Sequence, residues 1–383
     1  MDLLNTVFRF FKRILKWLLV IIALLALLKV ATYSSGPKQM EGFIQYFGKL
    51  DTERQKAVQS DVPVKTLRPL GGLHVADVVW CGDSKTLVSS GGIDTFVSIW
   101  DTQRGEALDS LNRADGSRAI ACSNNARFVA SGNSVKEQSS AVRVWDISKP
   151  GMANDISGPF PATEGKNDSF AKYLIFNSDN SRLFVHYVNR KSEQRLVTYE
   201  VPSWKAVRDF KLSGKLNAWP TLSTQGQFYA YSLYPQTIVV IDVLNGVEKA
   251  RFLTVKLLPY TLAFGRDDKT IFVGGKRLYD GQHQGMPEQV IEEYNLDDNK
   301  MLQSIVTGHT DGFAIAFRQD SNYLITAGAD KTIELRNAST GVLVTTLGDK
   351  ANQIYSFDVR PDGKQLASAG GKNINIWSLQ SVK

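Results

Sequence analysis

The sequence predicts an all-β repeat domain preceded by a single membrane-spanning helix, and two observations lead to this prediction. Seven times between residues 100 and 377, the chain repeats the same pattern: a turn, two alternating hydrophobic runs and a short polar turn. The second hydrophobic run ends in an aromatic residue or its substitute. Alternation with a period of two is typical of strands, and its recurrence indicates a repeat architecture. Ahead of the repeats, residues 17–28 form a run of twelve without a polar side chain, which indicates a helix in lipid.

Residues 1–33 are predicted to begin as a basic amphipathic helix and to continue as a transmembrane helix. The mostly apolar stretch 14–31 would be about 27 Å long at roughly 1.5 Å per residue, just enough to cross a bilayer core. Four cations precede the run at helical spacing, and two aromatic residues stand where belts form at membrane interfaces. The predicted anchor residues are Arg9, Lys12, Arg13, Lys16, Trp17 and Tyr33.

Two other interpretations of this segment stay open, namely a cleaved signal peptide and a helix that lies in the membrane interface. A retained span is favoured because a small-x-small cleavage site is poorly formed and residues 17–28 have no polar face. Because the cations precede the span, the N-terminus is expected in the cytoplasm. The repeat domain is then expected on the extracytoplasmic side, the periplasm if the source is a Gram-negative bacterium.

Residues 34–61 are predicted to form a linker with a second amphipathic helix. The apolar residues that recur near helical spacing are Met40, Phe43, Ile44, Phe47, Leu50 and Val58. The apolar side of such a helix must be covered by the rim of the repeat domain, by the membrane surface, or by a partner or second copy.

The seven copies align on the residue pairs that end their second hydrophobic run. Successive pairs are 45, 54, 42, 53, 42 and 41 residues apart. The pairs are Trp100-Asp101, Trp145-Asp146, Tyr199-Glu200, Ile241-Asp242, Tyr294-Asn295, Arg336-Asn337 and Trp377-Ser378. This pattern resembles WD40 repeats, and the resemblance implies a seven-bladed β-propeller over residues 62–383.

The resemblance also implies that His, Ser or Thr, Asp and Trp side chains form a buried hydrogen-bonded set within a blade. Blade 1 has all four types, with Ser89 or Ser90 as the hydroxyl, whereas in blade 6 Arg336 replaces the tryptophan and the set is not expected to close in the usual way. The blade-motif residues are His74, Asp94, Trp100, Trp145, His309, Thr326, Asp330 and Trp377. They are predicted to be structural, so neither histidine is expected to be a catalytic base.

The last blade lacks an outer strand of its own, since only residues 378–383 follow Trp377. Residues 62–70 have the pattern of an outer strand with no blade in front of it. The N-terminal strand is therefore expected to complete blade 7, which would leave no long open edge.

Cys81 and Cys122 occupy matching places in neighbouring blades, and an oxidising compartment would permit a disulfide between them. Corresponding points on adjacent blades are commonly farther apart than the roughly 7 Å between Cα atoms that a bridge allows. Two free, buried thiols are therefore expected. No CxxC, CxxCH or clustered His and Cys pattern occurs, so the sequence predicts no metal and no cofactor.

The charge is concentrated ahead of the repeats. Residues 1–60 hold nine Lys or Arg against four Asp or Glu, a net +5 of the chain's +7. The repeat domain is thus nearly neutral, which argues against nucleic-acid binding. Among four histidines and the carboxylates, no catalytic spacing is present, so the sequence predicts that the protein is not an enzyme.

WD40 propellers as a family mostly act as interaction platforms, and the resemblance places the start of each inner strand near a loop-lined face. The candidate partner-binding residues there are Arg118, Trp219, Tyr260, Phe313 and Tyr355. Insertions at 189–194 and 274–288 are further candidates. We expect a single-pass membrane protein that acts as a scaffold or an accessory subunit of a membrane complex. The alternatives are a sensor for a small ligand in the channel or on the face and a membrane-tethered propeller enzyme.

Overall fold

A computed structural model describes the protein over residues 58–60, 63–69, 74–91, 96–112, 119–132, 141–149, 151–161, 168–254, 256–278, 288–309, 313–318, 322–348 and 353–380. Within these ranges every regular element is a β-strand, labelled β1 to β29 in chain order. None of the residues described belongs to a helix long and apolar enough to cross a membrane. The anchor predicted at 1–33 and most of the linker helix lie outside the described residues.

The strands form seven separate sheets, and the predicted all-β, seven-bladed propeller is confirmed. The two N-terminal strands are β1 (Val58–Ser60) and β2 (Lys65–Leu67). Blade 1 consists of β3 (Val75–Trp80), β4 (Thr86–Gly91), β5 (Phe96–Asp101) and β6 (Glu106–Asn112). Blade 2 consists of β7 (Ile120–Cys122), β8 (Phe128–Gly132), β9 (Val142–Asp146) and β10 (Ala153–Ile156). Blade 3 consists of β11 (Phe170–Phe176), β12 (Arg182–Val188), β13 (Gln194–Glu200) and β14 (Ala206–Leu212).

The remaining blades follow the same order, with the first strand of each lining the central channel. Blade 4 consists of β15 (Thr221–Leu222), β16 (Phe228–Leu233), β17 (Thr237–Asp242) and β18 (Glu248–Leu253). Blade 5 consists of β19 (Leu257–Phe264), β20 (Thr270–Arg277), β21 (Gln289–Asn295) and β22 (Met301–Val306). Blade 6 consists of β23 (Phe313–Arg318), β24 (Tyr323–Gly328), β25 (Thr332–Asn337) and β26 (Leu343–Gly348). Blade 7 begins with β27 (Ser356–Val359), β28 (Gln365–Gly370) and β29 (Asn373–Ser378).

The core lies between neighbouring blades, because each sheet packs its faces against the sheets on either side. The second strands are therefore buried almost throughout, as in the runs Leu87 to Gly91 and Leu324 to Gly328. Burial on both faces explains why these strands carry small and apolar residues without polar alternation.

The antiparallel order gives the ring two distinct ends. The loop face, where inner strands begin, carries the connections between blades and the turns between second and third strands. The turn face, at the opposite end, carries the turns between first and second and between third and fourth strands.

The N-terminal segment completes the edge of blade 7. β2 pairs antiparallel with β29, in the register Lys65↔Ile376 and Leu67↔Ile374. Leu67 is 1% exposed and packs in the cluster between blades 7 and 1. Lys65 Nζ also donates hydrogen bonds to the carbonyl oxygens of Thr102 and Gln103 in blade 1, at 2.9 and 2.7 Å. The segment thus contacts both the last and the first blade.

The linker ends differently from the prediction. Val58, which the pattern placed in an amphipathic helix, lies instead in β1, which pairs parallel with β26 in the register Val58↔Thr345. The outer edge of blade 6 offers unpaired backbone donors and acceptors, and pairing with them satisfies this stretch of the chain.

The expectation of two free thiols is wrong, because Cys81 and Cys122 form a disulfide with their Cα atoms 5.1 Å apart. Cys81 directly follows β3 and Cys122 ends β7, so both lie on inner strands. Blades radiate from the channel, and their inner strands are their closest parts. Gly82 reflects this proximity, since an added Cβ would lie 2.4 Å from Asn124. The distance expected between corresponding points on adjacent blades is therefore too long for the inner strands, which lie close together at the channel wall.

Candidate binding face and channel

The blade-motif tryptophans are buried where the repeat pattern placed them. Trp100 and Trp377 each donate an indole hydrogen bond of 2.9 Å, to Ser89 Oγ and Ser368 Oγ. Trp145 is buried in the cluster that surrounds the disulfide between blades 1 and 2. Asp94 lies outside the described residues.

In blade 6, three motif residues interact as a set. His309 Nε2 lies 2.8 Å from Thr326 Oγ1, and His309 Nδ1 lies 3.1 Å from Asp330 Oδ1. Arg336 does not join this set. It forms a buried ion pair with Glu334 at 3.0 Å, and Glu334 in turn accepts the Gly308 N–H at 3.1 Å. A charged pair therefore fills the place that tryptophan takes in blades 1 and 7.

His74 differs from the expected buried motif residue, because its side chain is exposed. Its ring centroid lies 5.3 Å from that of Tyr355, at the mouth of the channel. Ser90, the alternative hydroxyl of blade 1, is buried and has no hydrogen-bond partner among the described residues. His74 is thus a surface residue of the loop face.

A buried polar chain between blades 3 and 4 was not found by the repeat analysis. His186 Nδ1 lies 2.8 Å from Tyr229 Oη, and His186 Nε2 lies 2.9 Å from Gln194 Oε1. Gln194 Nε2 donates to the Gly214 carbonyl, so its Oε1 must accept from the imidazole. Nδ1 is then the acceptor of the Tyr229 hydroxyl. Burial lowers the pKa of His186 to about 4, which keeps this imidazole neutral.

The central channel has a volume of about 1300 Å³ and contains two carboxyl groups on the inner strands of blades 1 and 7. Ser356 Oγ donates to Asp77 Oδ1 at 2.5 Å, and the Trp80 N–H donates to Asp358 Oδ2 at 2.7 Å. Each bond crosses from one blade to the other. The two side chains are half-buried because they line the channel, although protein surrounds them on most sides.

Burial raises the pKa of both carboxyls to about 7, and the charge of Asp77 contributes further to the shift at Asp358. The same burial, with Asp358 and Asp77 nearby, raises the pKa of the Tyr173 hydroxyl. These groups therefore face a common space. Their hydrogen bonds show that the two carboxyls join blade 1 to blade 7, the first and last blades of the ring.

Four of the predicted partner-binding residues belong to the described part of the chain, and they are distributed around the loop face. Trp219 and Tyr260 are adjacent, since the Trp219 N–H donates to the Tyr260 carbonyl at 3.0 Å. Tyr355 lies on the other side of the ring, beside His74, and its hydroxyl donates to the Gln353 side chain. Phe313 begins β23, and Arg118 lies outside the described residues. Trp219 with Tyr260 and Tyr355 with His74 therefore lie in different sectors of this face.

Two further aromatic residues of this face were missed, namely Phe96 and Tyr234. Among the described residues, the exposed Phe, Trp and Tyr side chains are Phe96, Trp219, Tyr234 and Tyr355. All four lie at the loop face, because they precede an inner strand, begin a third strand or follow a second strand. Phe96 and Tyr234 both lie at turns between the second and third strands of a blade, and the sequence pattern of these turns could have identified them.

The two insertions have different outcomes. Residues 189–193 form a compact turn between β12 and β13, in which Asn189 Nδ2 donates to Glu193 Oε2 at 2.6 Å. Arg190 forms an ion pair of 3.7 Å with Asp168. Of the second insertion, Gly274 to Arg277 belongs to β20, and residues 279–287 lie outside the description. Among the residues that are described, no three His, Cys, Asp or Glu side chains converge as a metal site.

Comparison with known proteins agrees with this geometry. A family model described as "WD domain, G-beta repeat" matches residues 62–101, 300–337 and 341–378. The chain is also 25% identical over 147 residues to a serine-threonine kinase receptor-associated protein of Gallus gallus, a match that covers 38% of each chain. The match therefore spans well under half the length of that relative. These findings support WD40 repeats on a seven-bladed propeller, a fold that typically serves as a protein-interaction scaffold.

Proposed function

We propose that this protein is a membrane-anchored scaffold that holds protein partners on the loop face of its propeller. The observation that carries the proposal is the placement of all four exposed aromatic side chains of the described residues on that one face. Aromatic side chains contribute a large share of binding energy at protein interfaces. The rigid ring would hold these side chains and their connecting loops in fixed positions.

The anchor and the extracytoplasmic location are part of the same proposal. The apolar run at 17–28 and the cations before it favour a single span with the N-terminus in the cytoplasm. The Cys81–Cys122 disulfide supports this location, because such bonds persist mainly in oxidising compartments. A complex in or near the membrane would then supply the partners.

Topology and partner contact can be tested on the full chain. Reporters active only inside or only outside the cytoplasm, fused after Lys383, should give an outside signal on a chain that retains residues 1–33. A photo-crosslinking amino acid at Phe96 or Tyr355 should give protein adducts, whereas the same group at Val342, exposed on the turn face, should not. An inside signal would overturn the extracytoplasmic location of the propeller. Adducts at Val342 alone would overturn the proposal that partners bind on the loop face.

A further inference from the structure

One sector of the loop face, in blade 4 beside its junction with blade 5, carries three exposed apolar side chains. It consists of Trp219, Tyr234 and Leu253, whose side chains are 58%, 65% and 66% exposed, and we call it the aromatic platform. Trp219 precedes the inner strand of blade 4, Tyr234 follows its second strand, and Leu253 ends its outer strand. The platform therefore extends from the channel mouth to the rim.

The backbone beneath the platform is held by hydrogen bonds. Tyr234 N–H donates to the Lys215 carbonyl at 2.8 Å, and the Asn217 amide donates to the carbonyls of Pro235 and Pro259 at 3.3 and 3.1 Å. Trp219 N–H donates to Tyr260 in blade 5. These bonds fix three connections against one another, which lowers the ordering cost of binding.

The outer end of the platform is fixed in the same way. Thr254 N–H donates to the Gln236 carbonyl at 3.0 Å, and Thr254 Oγ1 donates to the Leu257 carbonyl at 2.7 Å. Leu253 is therefore held beside the turn that carries Tyr234. Three exposed apolar side chains on a rigid backbone are suited to apolar contacts with a partner. Single apolar residues scattered over a surface are common and do not indicate such a contact.

The three connections that form the platform carry charged side chains of positive sign only. Its connections, residues 213–220, 234–236 and 254–256, contain Lys215 and Lys256 and no carboxylate. Both lysine side chains are exposed, as is Lys172 at the channel mouth. Among the described residues, three loop-face carboxylates of blades 3 and 5 have their own partners. These pairs are Asp168 with Arg190, Glu193 with Asn189, and Glu288 with Arg277.

We propose that the aromatic platform binds an acidic protein segment that also carries apolar side chains. Apolar groups of the segment would pack on Trp219, Tyr234 and Leu253, while its carboxylates approach Lys215. This inference rests on the proposed function, since it names the class of partner that the loop face holds. It also locates this contact in blade 4, which carries all three side chains of the platform.

The test uses the full chain in lipid nanodiscs and a random dodecapeptide phage library as the probe. Selected peptides should be enriched in Asp or Glu together with Leu or aromatic residues. A fluorescein-labelled selected peptide should bind at least tenfold more weakly to Trp219→Ala, and it should also bind more weakly to Lys215→Glu. Its Kd should rise with ionic strength, because exposed charges are screened by salt.

The matched control is Leu244→Ala, which removes an apolar side chain of similar exposure, 62%, from the turn face of the same blade. It should leave the Kd within twofold, and the thermal midpoints of all variants should match the parent because the replaced side chains are exposed.

Four outcomes would overturn the proposal. They are enrichment of basic or uncharged peptides, absence of any enrichment, loss of binding in Leu244→Ala in place of Trp219→Ala, and equal displacement of the peptide by heparin from the parent and Trp219→Ala proteins. Loop-face crosslinks formed at Phe96 or Tyr355 would still support the scaffold in each of these cases.

Discussion

Arg336 and Glu334 show how one residue change alters the chemistry of a blade. Their ion pair is almost fully buried, with side-chain exposures of 3% and 0%. Removing one member of such a pair leaves an uncompensated charge, whereas replacing both with apolar groups of similar size is often tolerated. We therefore expect a single substitution, which breaks the pair, to lower the free energy of unfolding more than a double substitution that replaces both residues.

We predict that Arg336→Met lowers the free energy of unfolding by about 3–5 kcal/mol, measured by urea denaturation. The double variant Glu334→Val with Arg336→Trp should lose less than the single variant. The matched control is Arg251→Met, which breaks a pair whose members are both 42% exposed and should cost less than about 1 kcal/mol. Equal losses at the two sites would contradict the role of burial.

His186 makes stability depend on pH. Its pKa is about 4 in the folded protein and 6.5 in an ordinary environment, so between these values the unfolded chain takes up a proton that the folded chain does not. Stability should therefore fall as the pH drops from about 6.5 to 4, by roughly 3 kcal/mol from this group. His186→Gln removes the titration. The stability advantage of the parent over this variant, measured by urea denaturation, should shrink across that range, and a constant difference would refute the assignment.

At the scale of elements, the inner strands β3 and β27 are joined by carboxyls whose titration has the opposite sign. The folded protein keeps the Asp358 proton up to about pH 7, while an ordinary aspartate loses it near 3.8. Stability from this group is present below about pH 4 and is lost as the pH rises to 7.

Asp358→Asn should therefore reduce the fall in unfolding free energy between pH 5 and 7 by roughly 2 kcal/mol, since an amide oxygen can still accept the Trp80 N–H. Asp362→Asn is the control. Hydrogen bonds from Arg360 and the Lys364 N–H overcome burial and lower the pKa of Asp362, so that carboxyl stays ionised throughout this range. Urea denaturation at both pH values measures this difference. Equal changes in unfolding free energy for the two variants would contradict the raised pKa of Asp358.

The disulfide links the inner strands of blades 1 and 2 across 41 residues. By the chain-entropy relation, closing a loop of this length contributes about 4 kcal/mol. We predict that the double variant Cys81→Ala and Cys122→Ala loses a similar amount, and that dithiothreitol lowers the melting temperature of the parent but not of the variant. A parent insensitive to reduction under denaturing conditions would contradict the bond.

The elements also show what local sequence can predict. Alternating runs and terminal Trp-Asp pairs depend on neighbouring residues, and they were sufficient for seven blades. The Cys81–Cys122 bond, the pairing of Val58 with Thr345 and the contact of His186 with Tyr229, 43 residues away, depend on distances between blades. The exposure of His74 likewise follows from the position of its loop beside Tyr355. No local pattern encodes these distances.

At the scale of the whole molecule, the ring is closed by a short N-terminal strand. Leu67 of β2 packs with Trp100 of blade 1 and Ile374 of blade 7, so one strand contributes to the core on both sides of the junction. Closure without an open edge protects backbone groups that would otherwise pair with other chains. The seven blades should therefore unfold together only while β2 is in place.

We predict that deletion of residues 62–70 abolishes soluble, cooperatively unfolding protein, because the edge of β29 and the apolar cluster beside it become exposed. Leu67→Asp tests the same strand in an intact chain, since it places a carboxylate at a site that is 1% exposed. Val64→Asp is the matched control, because Val64 is 56% exposed just before the same strand. Thermal unfolding should show a broad or strongly lowered transition for Leu67→Asp and an unchanged one for Val64→Asp. A cooperative transition at the parent temperature in Leu67→Asp would mean that the ring is held closed by the disulfide, the channel carboxyls and the remaining inter-blade contacts, without β2.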